Sequence, residues 1–198
     1  IFGHDGYKTL IESGNFSILE TDDDFKKKDE HPCISTKYPL IFCHIPKTAG
    51  LSINKALGIA GDRRHRVLKE IQHEMNKSAY DKYTKFGIIR NPFDRLVSLY
   101  LYSKKQKLTY IPGFEDNNYS FEKWFWMYNS HIDQILGAES NYLSSYECLC
   151  DDTGKLGVDY TLRFEHLEED WDNMFKVLNI DTPQLPKINV SNEKKHYS

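Results

Sequence analysis

The apolar and polar positions of the chain alternate between short strand-like runs and stretches of helical periodicity. Leu40 to Ile45 is apolar except for His44 and reads as a buried strand; Ser52 to Ala60 follows as a helix that Gly61 stops. Val67, Leu68, Ile71 and Met75 recur at helical spacing and predict a second helix that packs one face and exposes Arg66, Lys69 and Glu70. Phe86 to Ile89 is another apolar segment. It runs into Arg90-Asn91-Pro92, where Asn91 suits an N-cap and Pro92 the first helical position. Phe93, Leu96, Val97, Tyr100 and Leu101 then form a helical stripe read as core, with Asp94 in the first turn complementing the dipole. Gly157 to Phe164 predicts a strand, and Glu165 to Leu178 a helix with Leu167, Trp171, Met174, Phe175 and Leu178 inward. Phe121 to Tyr128 is rich in aromatics and reads as a packed helix, with a sugar-stacking platform as its other use.

Strands alternating with helices predict an α/β fold: a central, mainly parallel sheet flanked by helices on both faces. Residues 1–38 are polar, carry the charge run Asp22 to Glu30, and read as an N-terminal arm or cap; residues 39–198 read as a single domain. The tail from Asp181, with Pro183, Pro186 and Lys194-Lys195, is loop-like, and Tyr197 to Ser198 reads as the start of a further helix.

Composition changes this picture little. With 198 residues, 39% hydrophobic and 28% charged, the chain suits one domain with an ordinary core. A net charge of -3 argues against bulk attraction to nucleic acid, so an anion site has to come from local clustering. Arg63, Arg64, Arg66 and Lys69 form one basic cluster and Lys104, Lys105 and Lys107 another, and both read as solvated faces. Four cysteines do not make a disulfide scaffold. Cys43 reads as a small core residue, and the spacing of Cys148 and Cys150 is too tight for a zinc knuckle, so no metal is expected. No stretch approaches the ~20 apolar residues of a membrane span. Thiols of reduced character and the lack of an anchor favour the cytoplasm; a Golgi lumen would require an anchor preceding Ile1.

The chemistry lies at the two strand-to-helix junctions. His44-Ile45-Pro46-Lys47-Thr48-Ala49-Gly50-Leu51-Ser52 follows a buried strand and opens a helix, an arrangement in which backbone N–H groups and the helix dipole face an anion, with Lys47, Thr48 and Ser52 as added donors. The order of a Walker A motif is missing, since Lys47 precedes Gly50 and no Gly-Lys pair follows; neither apolar strand ends in a carboxylate suited to magnesium. At the second junction Arg90 leaves the strand and Ser98 lies two helical turns on, a second anion site. Two such sites on neighbouring strand ends imply a ligand phosphorylated at two places. A divergent nucleotide or sugar kinase and a non-catalytic glycan- or protein-binding scaffold stay open at this point.

These residues resemble a known family. His44 to Ser52 is similar to the 5'-phosphosulfate loop, and Arg90-Asn-Pro-Phe-Asp-Arg-Leu-Val-Ser98 to the 3'-phosphate motif, of sulfotransferases that use 3'-phosphoadenosine 5'-phosphosulfate (PAPS). Tyr83 to Phe86, Arg163-Phe-Glu165 and Leu185-Pro-Lys-Ile-Asn189-Val-Ser191 extend the likeness to the carbohydrate sulfotransferase family 2, which includes heparan 2-O- and chondroitin 4-O-sulfotransferases. The resemblance implies a P-loop-like three-layer fold and in-line transfer of a sulfuryl group from PAPS to a carbohydrate hydroxyl, releasing 3',5'-ADP. It gives Lys47 the sulfuryl oxygens and the departing phosphate, Thr48, Ala49, Gly50, Leu51 and Ser52 the 5'-phosphate, and Arg90 and Ser98 the 3'-phosphate. In the family the loop after the Leu-Pro and Asn motif closes over the nucleotide, which would let Ser191, Lys194 or Lys195 reach a phosphate. A base would take the acceptor's proton. His65 is the candidate, its neighbours Arg63, Arg64 and Arg66 disfavouring the imidazolium; His44 is its rival, with a buried, hydrogen-bonded strand histidine as its other reading.

Overall fold

Parallel pairing brings the loops that follow three strands to one edge of a sheet, and this arrangement builds the site. The structure, a computed structural model, describes residues 31–60, 65–106, 118–126 and 144–188. Its elements are β1 (Leu40–Cys43), α1 (Gly50–Leu57), α2 (Leu68–Glu74), α3 (Lys77–Lys82), β2 (Thr84–Ile89), α4 (Pro92–Gln106), α5 (121–126), α6 (Ser145–Cys148), β3 (Tyr160–Arg163) and α7 (Leu167–Val177). A 3-10 turn, Phe164–His166, leads from β3 into α7. The strands lie in the order β1-β2-β3, both pairs parallel, with Leu40 opposite Thr84 and Phe86 opposite Tyr160.

Alternation along β1 decides which layer covers which face. Leu40 and Phe42 point with Phe86, Ile88 and Leu162 toward Ile53 and Leu57 of α1 and Trp171, Met174 and Phe175 of α7. Ile41 and Cys43 point the other way, into Leu68 and Ile71 of α2, Tyr80 of α3 and Cys148 of α6. Both faces of the sheet are thus covered, giving the expected three-layer α/β fold. Part of the expected N-terminal arm belongs to this packing. Cys33 and Ile34 are buried, Ile34 bridges Ile41 in antiparallel fashion, and the Ser35 and Thr36 hydroxyls donate to the Leu57 and Gly58 carbonyls at the end of α1.

Several boundaries differ from the sequence reading. The first helix begins at Gly50 and stops at Gly58, not Gly61, because Gly58 adopts φ 65° and its N–H bonds the Asn54 carbonyl, a left-handed C-cap. The strand read as Gly157 to Phe164 is paired over Tyr160–Arg163, and α3 has no counterpart in the sequence reading, its one buried side chain being Tyr80. Of the aromatic stretch, 121–126 is helical and Tyr128 lies outside the described residues.

Two side chains exchange the expected sides. Phe93, read as core, is 72% exposed, whereas Arg95, in the same helix, is 9% exposed and lies on the buried face with Leu99 and Ser103. Arg66, read as solvated, is also buried; its guanidinium pairs with Glu74, which additionally meets His31. The Cys43 expectation holds: its Sγ lies in the core, donating to the carbonyls of Arg66 and Cys148, and burial, with Cys148 and Cys33 nearby, pushes its pKa up. Among the described residues no helix is long and apolar enough to cross a membrane.

Candidate active site

The loop after β1 holds two non-glycine residues in left-handed backbone conformations. Lys47 has φ 71° and Ala49 has φ 68°, both left-handed, while Thr48 between them and Gly50 after them are not. Such alternation turns successive N–H groups toward a common concavity, a geometry that binds anions. The first bonds of α1 run from Ser52 N–H and Ile53 N–H to the Ala49 carbonyl, so the amides ahead of Ser52 open the helix as donors without intrahelical partners. Thr48 is fully buried and its Oγ1 donates to the Ile45 carbonyl at 2.7 Å. Its hydroxyl proton therefore braces the loop, and what it can offer an anion is its backbone N–H.

Gly50 is required for space. A Cβ there would meet the His44 ring at 1.8 Å from Nε2. His44 fills the gap beneath the loop, stacked on Phe42 at 5.3 Å between centroids and tilted against His65 at 4.6 Å. The two histidines set against each other as candidate bases are thus neighbours, and His65 is brought to the loop through His44. Arg66, expected to help keep His65 neutral, has its charge met by Glu74; Arg63 and Arg64 lie outside the described residues.

Because β2 lies between β1 and β3, Arg90 emerges between the loops of both neighbours. Its Nη1 donates to the Lys47 carbonyl at 2.8 Å, and its Cζ sits 4.1 Å from the Phe164 ring centroid. Its Nε is buried with no hydrogen-bond partner. Burial pulls the guanidinium below its ordinary pKa, with Asp94 and Glu165 opposing the shift. Asn91 caps α4 as expected, its Oδ1 accepting from Phe93 and Asp94 N–H, and Glu165 accepts the Asn91 N–H at 2.8 Å, tying the second loop to the third. Ser98 is half-buried one turn beyond Asp94, and no hydrogen bond joins it to Arg90.

Lys47 ties these parts together electrostatically. Its Nζ lies 4.2 Å from the Tyr102 ring centroid, and its pKa is lowered to about 8, by burial first and then by the nearby charges of Arg90 and Lys105. Burial and the charges of Arg90 and Lys105 thus both weigh against its ammonium form, a cost that a bound anion would offset. The sign follows. A bound anion favours the charged amine, so affinity for an anion whose own charge is fixed over this range, such as sulfate, is expected to fall as pH rises through about 8, while stability in urea without the anion rises between there and the ordinary lysine range. Calorimetric titration and urea melts from pH 7 to pH 10 would read both trends; affinity that is flat across that range would remove Lys47 from the anion's neighbourhood.

Sequence reasoning missed Arg95, Tyr102 and Lys105 as parts of this region. Tyr102 and Lys105 stand three apart on α4 and share a face, a signal available in the sequence once Lys47 is placed above that helix. Ser191, Lys194 and Lys195, the candidates for reaching a phosphate from the closing loop, lie outside the described residues.

Comparison with known proteins gives this geometry a context. The model of a family described as "Sulfotransferase family" matches residues 30–198. An uncharacterized protein of Archaeoglobus fulgidus is 27% identical over 122 residues, covering 61% of this chain and 88% of that protein. No solved structure matches the chain.

Proposed function

The chain belongs to the sulfotransferase family, and from that premise we propose that it moves a sulfuryl group from PAPS to a carbohydrate hydroxyl by in-line displacement, releasing 3',5'-ADP. The observation that carries the reading is the hydrogen bond from Arg90 Nη1 to the Lys47 carbonyl. It joins the two anion-binding junctions into one surface, as a nucleotide phosphorylated at both its 3' and 5' positions demands. The residues fit such a donor. The loop's alternating backbone supplies amides for a 5'-phosphate, and the buried Arg90 Nε, without a partner, supplies a donor for a 3'-phosphate.

PAPS brings the activated sulfuryl group, whose bridging S–O bond breaks as the acceptor oxygen bonds to sulfur. Thr48 to Ser52 hold the 5' end through backbone N–H groups, and Arg90 with Ser98 holds the 3' end. Lys47 stabilises the charge that grows on the departing phosphate. His65 takes the acceptor's proton, with the His44 ring against it limiting the ways it can turn. As in phosphoryl transfer, positioning and charge stabilisation do most of the work, so the loop's rigidity matters more than covalent chemistry.

A thermal-shift titration tests the donor. 3',5'-ADP should raise the melting temperature without magnesium, as expected for a ligand that binds the folded state; stabilisation by ATP that needs magnesium would sink the proposal in favour of a kinase. His65→Ala should lower kcat by about 10²-fold or more while leaving affinity for 3',5'-ADP unchanged, as removal of a general base does. Full kcat in that variant would assign the proton to another group.

A further inference from the structure

Three consecutive carbonyls of the first loop each accept a side-chain donor. Ile45 O takes the Thr48 hydroxyl at 2.7 Å, Pro46 O takes Arg95 Nε at 3.2 Å, and Lys47 O takes Arg90 Nη1 at 2.8 Å. The Pro46 and Lys47 carbonyls, held this way, turn the N–H groups of Lys47 and Thr48 to the opposite side, toward the concavity; the Ile45 carbonyl orients no amide, since Pro46 has no N–H, and its bond braces the loop instead. Two of the three donors come from the other junction, across the sheet edge. They bracket Lys47, the first of the loop's two non-glycine residues at positive φ, a conformation that persists where the surroundings over-determine it.

The two arginines are not equivalent. Arg90 ends beside the loop with Nε still lacking a partner, so it can meet an anion directly. Arg95, five residues on, is 9% exposed and reaches the protein's own backbone. A guanidinium buried at this depth on the inward face of α4 stands where an apolar residue would ordinarily pack. The Pro46 carbonyl is one partner that draws it there, a buried acceptor that needs a donor.

We propose that Arg95 is a positioning residue: it holds the Pro46 carbonyl so that Lys47 and the amides after it stay aimed at the 5' end of the nucleotide, without touching the nucleotide itself. This deepens the reading given under Proposed function and rests on it for the identity of the anion. The loop geometry it describes can be measured without any nucleotide.

Arg95→Met and Arg95→Lys test it in two ways. In the protein alone, amide hydrogen exchange over 46–52 should accelerate in Arg95→Met, while peptides from β1 and α7 keep the wild-type rate; acceleration spread evenly over the molecule would make Arg95 a general packing residue and overturn the proposal. In calorimetric titrations, Arg95→Met should weaken adenosine 5'-phosphate by about tenfold or more, the scale of a lost charged hydrogen bond. Adenosine 3'-phosphate should stay within about twofold, since Arg90 is untouched. Arg95→Lys keeps a cationic donor and should recover part of the loss, which also guards against a Met variant that folds poorly. Equal weakening of both nucleotides, or of neither, would overturn the assignment. Wild-type protein that binds neither nucleotide would instead refute the donor named under Proposed function, and hydrogen exchange would still decide the role of Arg95.

Discussion

Lys47→Ala is expected to lower kcat/KM for sulfuryl transfer by about 10³-fold, the upper range for removing one preorganised group that stabilises transition-state charge. The expectation rests on three properties of the side chain. Its Nζ is held over the Tyr102 ring, its backbone is fixed at φ 71° by the neighbouring loop, and its charge stands among those of Arg90 and Lys105. The last property gives the prediction a second sign. Removing one of several like charges relieves repulsion in the folded state, so the same substitution should leave the melting temperature unchanged or raised, a trade of stability for activity. Steady-state kinetics with PAPS, paired with a thermal melt, reads both. Turnover near that of wild type would exclude Lys47 from the reacting region, and a large fall in melting temperature would mean that lost activity reported lost structure.

The parts of this site that are legible in the sequence are those that local chemistry dictates. An apolar run ending in Lys-Thr-Ala-Gly, and another ending in Arg-Asn-Pro, each announce a strand giving way to a helix, and Asn91 caps α4 as its side chain requires. The misses arise where a residue answers to something distant in the chain. Arg95 looks like one charge on an amphipathic helix until the Pro46 carbonyl, 49 positions away, is brought beneath it. Phe93 looks like core until that buried face is found to run through Arg95, Leu99 and Ser103. Arg66 reads as one of the solvated charges, yet it is buried and pairs with Glu74, which is met in turn by His31, 43 positions from it. The strand order also has no local signature, although it decides that Arg90 emerges between Lys47 and Phe164.

Gly50 separates what a glycine allows in backbone from what it allows in space. A Thr-Ala-Gly turn invites the view that glycine supplies the left-handed residue, yet positive φ falls on Lys47 and Ala49, and Gly50 opens an ordinary helix. Its missing side chain is what matters: a Cβ would lie 1.8 Å from His44 Nε2 and 2.2 Å from two ring carbons. The ring has little room to retreat, since it stacks on Phe42, which itself stacks on Phe86 at 4.9 Å, and it meets His65 on another side. Gly50→Ala should therefore destabilise the fold by about 1–3 kcal/mol, the range for overpacking a filled core. It should also weaken 3',5'-ADP binding, because the displaced backbone carries the loop's amides. His44→Ala opens a void and costs stability in its own right, but in the double variant the methyl group added by Gly50→Ala enters the space that the ring vacates. The two costs should then fall short of their sum by about 1 kcal/mol or more, well outside the ~0.3–0.5 kcal/mol within which independent sites add. Urea denaturation of the four proteins measures that coupling. Strict additivity would show that the His44 ring can swing aside, and the contact between loop and histidine would then lose its part in holding His65 in place.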